Sequence, residues 1–333
     1  MINSKTKVSI IVPVYNAGIH LEKCLDTLIN QTLKEIEIII VLDCPTDGSD
    51  KVSKMYAEKD NRIIIVENTD NLHIGKSRNK GLALATGEYI GFSDHDDYRN
   101  LNMYEELYKN AISENSDIVL SGYGTDTHSK IKENLYPKSF DMTFYRKLLI
   151  GGYNVEEEWK YFIQNGGMWN KIYKKELLFN NNIQFVDNRE TTYEDLLFLI
   201  ESSINAKKIS IVNKVFYYHS EEIGNASSQF FFNDINLVIS FLIKLKQVLI
   251  NSNLFKYYEM DFNKAIVNMV LISITNELKS NNKIIGKLKS INKLRKIAFV
   301  RDAFNIMTTN DIIYQPSTII SKVYRLLIFK IFG

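Results

Sequence analysis

The chain has 333 residues, of which 45% are hydrophobic and 24% are charged, so it can bury the core of one large domain or of two smaller ones. The formal net charge of +2 gives no sign of nucleic-acid binding, and two cysteines exclude a disulfide scaffold and indicate reduced thiols. No secretion signal is apparent, and no apolar run reaches the roughly 20 residues that cross a bilayer, so we expect a cytoplasmic protein.

Short apolar runs alternate with helix-like patterns over the first third of the chain. Buried strands are predicted at Val8–Val12, Ile36–Leu42, Arg62–Val66, Glu88–Phe92 and Asp117–Leu120. Between them, helices are predicted at residues 21–29, 47–58, 75–85 and 100–114, the second of which would be capped by Thr46 or Asp47. This alternation predicts an α/β fold with a mostly parallel sheet flanked by helices, in which ligands bind beyond the carboxyl ends of the strands.

The pattern loosens after Ser121. Residues 122–136 are polar and predict a surface excursion. Short helices are predicted at Trp159–Gln164, Asn170–Leu178 and Tyr193–Asn205, followed by a strand at Ile209–Tyr218 and a helical region from Phe232 onward.

Charge divides the chain near residue 230. Residues 231–333 hold about 15 basic and 6 acidic side chains, roughly +9, whereas residues 1–230 sum to roughly −7. We therefore expect a domain at 1–230 and a helical, basic C-terminal region at 231–333. That region either lies on an anionic membrane surface at the inner face of the plasma membrane or packs on the core, and the sequence leaves both open.

The strongest chemical signal follows the predicted strand that ends at Phe92. Asp94, Asp96 and Asp97 surround His95, and three carboxylates at one strand end repel each other unless a cation is present. A hard divalent ion with oxygen ligands, Mn²⁺ or Mg²⁺, would relieve that repulsion and could bridge to phosphate oxygens. The alternative is ordinary turn or cap chemistry, for which a single aspartate would suffice.

Four weaker signals accompany the acidic cluster Asp94–Asp97. Asp43 follows the second strand, where a carboxylate can accept from the N3–H of a pyrimidine, although turn chemistry also explains it. The basic helix start at residues 74–81 suits a diphosphate or is simply an exposed helix face. Asp195 is a candidate general base, whereas Thr191 and Glu194 also have the spacing of a capping box. His219 ends a strand and is either structural or a contact to metal or phosphate.

Taken together, these segments resemble the family 2 glycosyltransferases of GT-A fold. The matching segments occur in family order and are Val8–Asn16, Asn30–Thr32, Asp43–Ser49, Ser77–Gly81, Ala85–Ile90, the DxD-like Asp94–Asp97, Trp169–Tyr173, Glu194–Asp195 and Tyr217–His219. The close match covers roughly residues 7–121. The resemblance implies a Rossmann-like GT-A domain that binds a nucleotide-sugar.

The resemblance also implies a role for each matching residue. The nucleotide-sugar would be bound by Pro13, Tyr15, Asp43, Arg78, Asp94 and His95. Asp96 and His219 would bind Mn²⁺ or Mg²⁺, Trp169 would line the acceptor cleft, and Asp195 would be the catalytic base with Glu194 beside it. In two respects the chain departs from the family pattern, because Leu42 replaces the usual first acid and Cys44–Pro45 replaces the usual Gly-Ser.

The implied function is transfer of a sugar, with inversion, from a UDP-sugar to a hydroxyl of a glycan or lipid-linked acceptor in the synthesis of cell-surface polysaccharide. Two alternatives stay open at this point. A sugar-phosphate nucleotidyltransferase would use a similar sheet, but it would carry a Gly-rich basic loop where this chain has residues 13–18. A catalytically inactive glycan- or nucleotide-binding protein is the other alternative.

Overall fold

A computed structural model describes residues 5–125, 141–151, 167–220, 234–279 and 292–307. The helix predicted at Trp159–Gln164 and the basic end of the chain at 308–333 lie outside these residues. The chain divides into two compact units. The first comprises Met1–Met142, Glu157–Asn188 and Glu194–Ile223, and the second comprises Thr143–Glu156, Arg189–Tyr193 and Gly224–Gly333.

An eight-stranded sheet forms the first unit within the described residues. Its strands are β1 (Val8–Val14), β2 (Ile36–Leu42), β3 (Ile63–Glu67), β4 (Tyr89–Phe92), β5 (Tyr98–Arg99), β6 (Ile118–Thr125), β7 (Lys171–Lys174) and β8 (Ile209–His219). The strand order is β3-β2-β1-β4-β7-β6-β8-β5. The pairs among β1 to β4 are parallel, as predicted, whereas β7 runs antiparallel to β4 and β6.

Helices accompany this sheet in the first unit. They are α1 (His20–Ile29), α2 (Ser49–Lys59), α3 (His73–Leu84), α4 (Met103–Glu114), α6 (Lys175–Asn180) and α7 (Glu194–Asn205). Their buried faces are apolar on α1 but partly polar on α2 and α3. On α1 the buried residues Leu21, Cys24, Leu25 and Leu28 recur at helical spacing. On α3, Gly81 allows a close approach to β1, since a Cβ there would lie 2.6 Å from Ile11 Cγ2.

Two predicted elements are corrected by the structure. The segment predicted as a helix at Asn170–Leu178 begins as strand β7, and only its second part is helical, as α6. Ile172 and Tyr173 are fully buried between two neighbouring strands, and such a short apolar run does not distinguish a strand from a helix by its periodicity. Residues 122–125, predicted as the start of a polar excursion, instead continue β6 alongside β8, and the rest of that predicted excursion lies outside the described residues.

The start of α2 also differs from the prediction. Gly48 occupies the cap position with a φ of 94°, so neither Thr46 nor Asp47 caps the helix. The Asp47 carboxylate still contributes, because it accepts hydrogen bonds from the backbone N–H and the hydroxyl of Ser49 (3.1 and 2.7 Å). Glycine is favoured here because side chains rarely tolerate a positive φ.

The described part of the second unit is mostly helical, and from residue 234 onward this agrees with the helical region expected from Phe232. It contains α5 (Met142–Gly151, whose first residue belongs to the first unit), α8 (Ile235–Asn251), α9 (Glu259–Lys279) and α10 (Ala298–Ile306). Asp234 caps α8 by accepting from the Asn236 backbone N–H at 2.8 Å. Among the described helices, none combines the length and apolar character that a membrane-spanning segment needs.

Candidate active site

The acidic turn Ser93–Asp97 joins β4 to β5 at the carboxyl end of the parallel strands. Its first residue continues the sheet, since the Ser93 N–H donates to the Ile11 carbonyl at 3.0 Å. His95 contacts the end of β1, where its Nδ1 lies 3.1 Å from the Pro13 carbonyl oxygen. Pro13 is buried, whereas Tyr15 is 47% exposed just beyond the strand. The structure therefore brings three of the predicted nucleotide-binding residues to one edge of the sheet.

Arg78 connects the acidic turn to the start of α7. From α3, its guanidinium donates to Asp94 Oδ1 at 2.8 Å and to Glu194 Oε1 at 3.3 Å. Arg78 is buried, and its guanidinium carbon lies 5.4 Å from the centre of the Phe185 ring. Burial opposes its charge, but the carboxylates of Asp94, Glu194 and Asp195 raise the pKa of Arg78. Two acidic motifs 100 residues apart in the sequence thus share one buried cation.

Asp195 lies next to this ion-pair network. Its Oδ1 accepts from the backbone N–H of Leu196 at 2.7 Å. Burial and the neighbouring charge of Glu194 raise the pKa of Asp195, while Arg78 opposes that rise. The capping-box alternative is wrong, because α7 begins at Glu194 and the Thr191 hydroxyl donates to the Thr192 carbonyl instead. A carboxylate with a raised pKa accepts protons more readily near neutral pH.

Asp97 is the centre of a second hydrogen-bond network. Its Oδ2 accepts from the Tyr217 hydroxyl at 2.8 Å and lies 2.9 Å from His219 Nδ1, and its Oδ1 accepts from the Ser220 N–H at 3.2 Å. Burial opposes the charge of His219, but Asp97 raises its pKa. Trp169 is only 5% exposed, and it stacks on Tyr217 with ring centres 4.3 Å apart. It thereby braces the network, and its contact with an acceptor stays a prediction.

Asp96 differs from its neighbours in having no ion-pair partner among the described residues, although the charge of His95 partly opposes the rise of its pKa. Within the described residues, no basic side chain lies within ion-pair distance of its carboxylate, whereas Arg78 pairs with Asp94 and His219 with Asp97. Burial and the charges of Asp97 and Asp94 raise the pKa of Asp96. In the described part of the chain, no three His, Cys, Asp or Glu side chains converge to form a metal site. A hard divalent cation fits this carboxylate, because it would offset a repulsion that the chain itself leaves in place.

Asp43 directly follows the carboxyl end of β2. Its Oδ1 accepts from Asn68 Nδ2 at 2.6 Å and from the Leu72 N–H at 2.7 Å, and the side chain is buried. Asn68 in turn donates to the Ser77 hydroxyl at 2.9 Å, which connects β2 to α3. The contact with a pyrimidine base stays a prediction, and it would use the other carboxylate oxygen, Oδ2.

The start of α3, which the sequence suggests could suit a diphosphate, makes contacts within the protein, and its contact with a diphosphate stays a prediction. The Gly75 N–H donates to Asn188 Oδ1 at 2.8 Å, and Lys76 Nζ pairs with Asp187 at 2.6 Å. A Cβ on Gly75 would lie 2.6 Å from the Val186 carbonyl oxygen, so the chain approaches the helix closely here. Protein groups therefore contact the helix start to which a phosphate would bind.

Sequence reasoning missed several residues that organise the site. Asn68, Asn188 and Tyr217 hold the loops or the acidic turn, but the sequence predicts no role for any of them. On the strand that carries Tyr217, it predicts a role only for His219. Tyr217 could have been found, because it alternates with His219 along β8 and so faces the same side of the sheet.

Comparison with known proteins identifies the family. The model of Glycosyl transferase family 2 matches residues 9–178, which is just over half of the chain. The chain belongs to glycosyl transferase family 2. It is 34% identical over 230 residues to a cholesterol galactosyltransferase of Borreliella burgdorferi, and this alignment covers 67% of the chain and 63% of the relative. The chain thus spans less than two thirds of the length of this relative.

Two solved structures of glycosyltransferases share the fold. Staphylococcus aureus TarS 1–349, solved in complex with UDP-GlcNAc, superposes with a TM-score of 0.72 at 21% identity, covering 98% of the chain and 90% of TarS 1–349. TarS is named a poly(ribitol-phosphate) beta-N-acetylglucosaminyltransferase, and the sequence alignment covers 37% of its full length. The mannosyltransferase PcManGT of Pyrobaculum calidifontis, solved with GDP-Man and Mn²⁺, gives a TM-score of 0.51 at 14% identity, covering 99% of the chain and 87% of PcManGT. The likeness to TarS confirms the predicted GT-A fold.

Proposed function

We propose that this family 2 member transfers a sugar, with inversion, from a UDP-sugar to a hydroxyl of a glycan or lipid-linked acceptor in the synthesis of cell-surface polysaccharide. The observation that carries the proposal is the Arg78 bridge, which joins the acidic turn at Asp94 to the helix start at Glu194. It supports a site in which a donor-binding segment and a candidate base lie side by side. The relatives support the class of reaction, because they are named galactosyl- and N-acetylglucosaminyltransferases.

Asp195 is the catalytic base in this proposal. The acceptor oxygen attacks the anomeric carbon, the bond from that carbon to the UDP oxygen breaks, and its electron pair leaves with UDP. The acceptor proton passes to Asp195, whose raised pKa favours this transfer and whose Oδ1 is oriented by the Leu196 N–H. Because the acceptor attacks opposite the leaving group, an α-linked donor gives a β-linked product.

The donor occupies the carboxyl ends of β1, β2 and β4. Tyr15, beyond the buried Pro13, lies against the base, and Asp43 Oδ2 accepts from the uracil N3–H. Asp94, which Arg78 orients, contacts the ribose or the sugar, and His95 lies beside it. Trp169 borders the acceptor side. The UDP-GlcNAc complex of TarS supports the choice of a uridine donor.

Asp96 would hold a divalent cation, Mn²⁺ or Mg²⁺, which would offset the negative charge that grows on the departing diphosphate. His219 would contribute through Nε2, because its Nδ1 faces Asp97, and a carboxylate behind a histidine commonly fixes its orientation as a metal ligand. The repulsion of Asp96 by Asp97 and Asp94 supports this assignment, as does the Mn²⁺ in the PcManGT complex.

A donor screen tests the proposal. The full chain is incubated with a panel of UDP-sugars and Mn²⁺ or Mg²⁺, and release of UDP is measured without and with glycan acceptors. Asp195→Asn should lower turnover by about 10²- to 10⁴-fold while UDP affinity stays within about twofold, since a general base contributes that much. Glu201→Gln is the matched control, because Glu201 lies on the same helix and has a pKa raised to about 7 by burial. It should leave turnover unchanged.

Two results would contradict the proposal. Full turnover by Asp195→Asn would remove this residue from the role of base. UDP binding with no turnover of any donor would favour an inactive nucleotide-binding protein instead.

We further propose that residues 1–230 form the catalytic domain and that the basic region 231–333 contacts anionic membrane on the cytoplasmic side. The charge of roughly +9 in the second region supports this division. The full chain should sediment with phosphatidylserine vesicles and not with phosphatidylcholine vesicles. Lys287→Glu with Lys289→Glu should weaken this binding, and equal binding by the variant would count against it.

A further inference from the structure

Arg99 lies beneath the acidic turn and has no assigned role. It is the first residue after Tyr98 in the short strand β5, only 2% exposed, and its side chain turns back toward the turn. NH2 donates to the Ser93 hydroxyl at 2.7 Å and to the Asp97 carbonyl at 3.0 Å. One nitrogen of Arg99 therefore holds both ends of the Ser93–Asp97 turn.

The other contacts of Arg99 are also uncharged. NH1 donates to the Cys24 carbonyl at 3.4 Å, and Cys24 Sγ lies 3.6 Å from NH2. Among the described residues, no carboxylate pairs with this guanidinium, and Nε has no hydrogen-bond partner. Burial of a cation without a carboxylate is costly, so the stability of the fold alone does not explain this arrangement.

Tyr217 completes the support of the turn. The guanidinium carbon of Arg99 lies 5.6 Å from the centre of the Tyr217 ring. The Tyr217 oxygen accepts from the Asp94 N–H at 3.3 Å, and its hydroxyl donates to Asp97. Arg99 and Tyr217 together fix the backbone on each side of Asp96.

We propose that Arg99 is a positioning residue that fixes the Ser93–Asp97 turn so that Asp96 can meet the cation and diphosphate of the donor. The inference rests on the proposed function, because it presumes that Asp96 faces the donor. It adds that a buried arginine outside the acidic motif sets the affinity of the site. Lysine would keep the charge, but it lacks the planar fork that reaches Ser93, Asp97 and Cys24 together.

Binding of Mn²⁺ and UDP by the full chain tests this inference without relying on turnover. Free Mn²⁺ is measured by electron paramagnetic resonance, and UDP affinity is measured by calorimetry with and without Mn²⁺. Arg99→Met should weaken Mn²⁺-dependent UDP binding by about 10- to 100-fold, the usual effect of losing a group that orients metal ligands. Arg99→Lys should lie between Arg99→Met and the unchanged chain.

Two further variants separate positioning from loss of stability. Arg62→Met is the matched control, because Arg62 is mostly buried and paired with Asp60 just before β3, at the opposite ends of the strands. It should leave UDP affinity within about twofold even where it lowers the melting temperature. Ser93→Ala removes a single acceptor of Arg99 and should weaken binding a few-fold, so it replaces Arg99→Met if that variant does not fold.

The outcomes are distinct. Unchanged Mn²⁺ and UDP binding by folded Arg99→Met, or by Ser93→Ala where Arg99→Met does not fold, would overturn the inference and leave the proposed function intact. Equal weakening by Arg62→Met would also overturn it, since the effect would then follow from stability. If the unchanged chain binds no UDP with either metal, the proposed function fails and the inference with it.

Discussion

Two buried basic side chains in the first unit have opposite surroundings, one charged and one uncharged. Arg78, on α3, contacts two carboxylates, and a third lies close enough to help raise its pKa. Lys171, on β7, is equally buried, but within the described residues its Nζ donates only to the Gly167 carbonyl and to Asn170 Oδ1. Burial lowers the pKa of Lys171 to about 7.

The contrast between the two surroundings shows which buried charge the fold depends on. At Arg78 the buried cation and its largely buried carboxylate partners compensate each other, so removal of the cation leaves desolvated carboxylates without a partner. At Lys171 the side chain can release its proton near neutral pH and remain a neutral donor to two carbonyl groups. Arg78 therefore acts as a permanent link in the site, whereas the charge of Lys171 depends on pH.

Removal of Arg78 should produce the largest effect on stability. Arg78→Met leaves Asp94, Glu194 and Asp195 together without their cation, so we expect a loss of about 3–5 kcal/mol in the free energy of unfolding at pH 7.5. Urea denaturation followed by circular dichroism measures this loss. Arg78→Lys is the control, and it should lose less because it keeps the charge. A loss below about 1 kcal/mol for Arg78→Met would show that the bridge contributes little.

The effect of Lys171 on the free energy of unfolding should depend on pH. The unfolded chain keeps this lysine protonated up to about pH 10.4, whereas the folded chain releases the proton near 7, so the unfolded state binds more protons between these values. Stability conferred by Lys171 therefore rises with pH across this window. From pH 6 to pH 9, the free energy of unfolding of the unchanged chain should rise by about 2–3 kcal/mol relative to Lys171→Met.

The measurement compares denaturation curves of both proteins at several pH values. Lys208→Met serves as a control, because Lys208 is exposed on the surface beside Glu114 and should give a nearly constant difference. A difference between the unchanged chain and Lys171→Met that stays constant from pH 6 to pH 9 would mean that Lys171 keeps its proton in the folded state.

The sequence predicted the parallel half of the sheet well. Strands β1, β2 and β4 are continuous apolar runs buried on both faces, and this pattern leaves few alternatives. The carboxyl-end position of Asp43 and of the acidic turn followed from the same strands. The antiparallel strand β7 was missed because four residues are too few for any periodicity, and its state is decided by the strands on either side.

Within the site, the sequence located the acidic groups but not their partners. The bridge from Arg78 to Glu194 joins residues 116 positions apart, and no local pattern records such a contact. Asp97 was counted as one of three repelling carboxylates, yet Tyr217, His219 and Ser220 all hydrogen-bond to it. Charge repulsion was therefore overestimated at Asp97 and Asp94 and remains at Asp96, because only the fold determines which carboxylate receives a partner.

The smallest expected effect is at the start of α3, where the fold again gives a charged side chain a protein partner. Lys76 is about half exposed and pairs with Asp187, so Lys76→Ala should lower the free energy of unfolding by only about 0.2–1 kcal/mol. Since Asn188 and Asp187 already fill the helix start, UDP affinity measured by calorimetry should change less than about twofold. A tenfold loss of UDP affinity for Lys76→Ala with unchanged stability would mean that the helix start opens to the diphosphate after all, as the basic sequence first indicated.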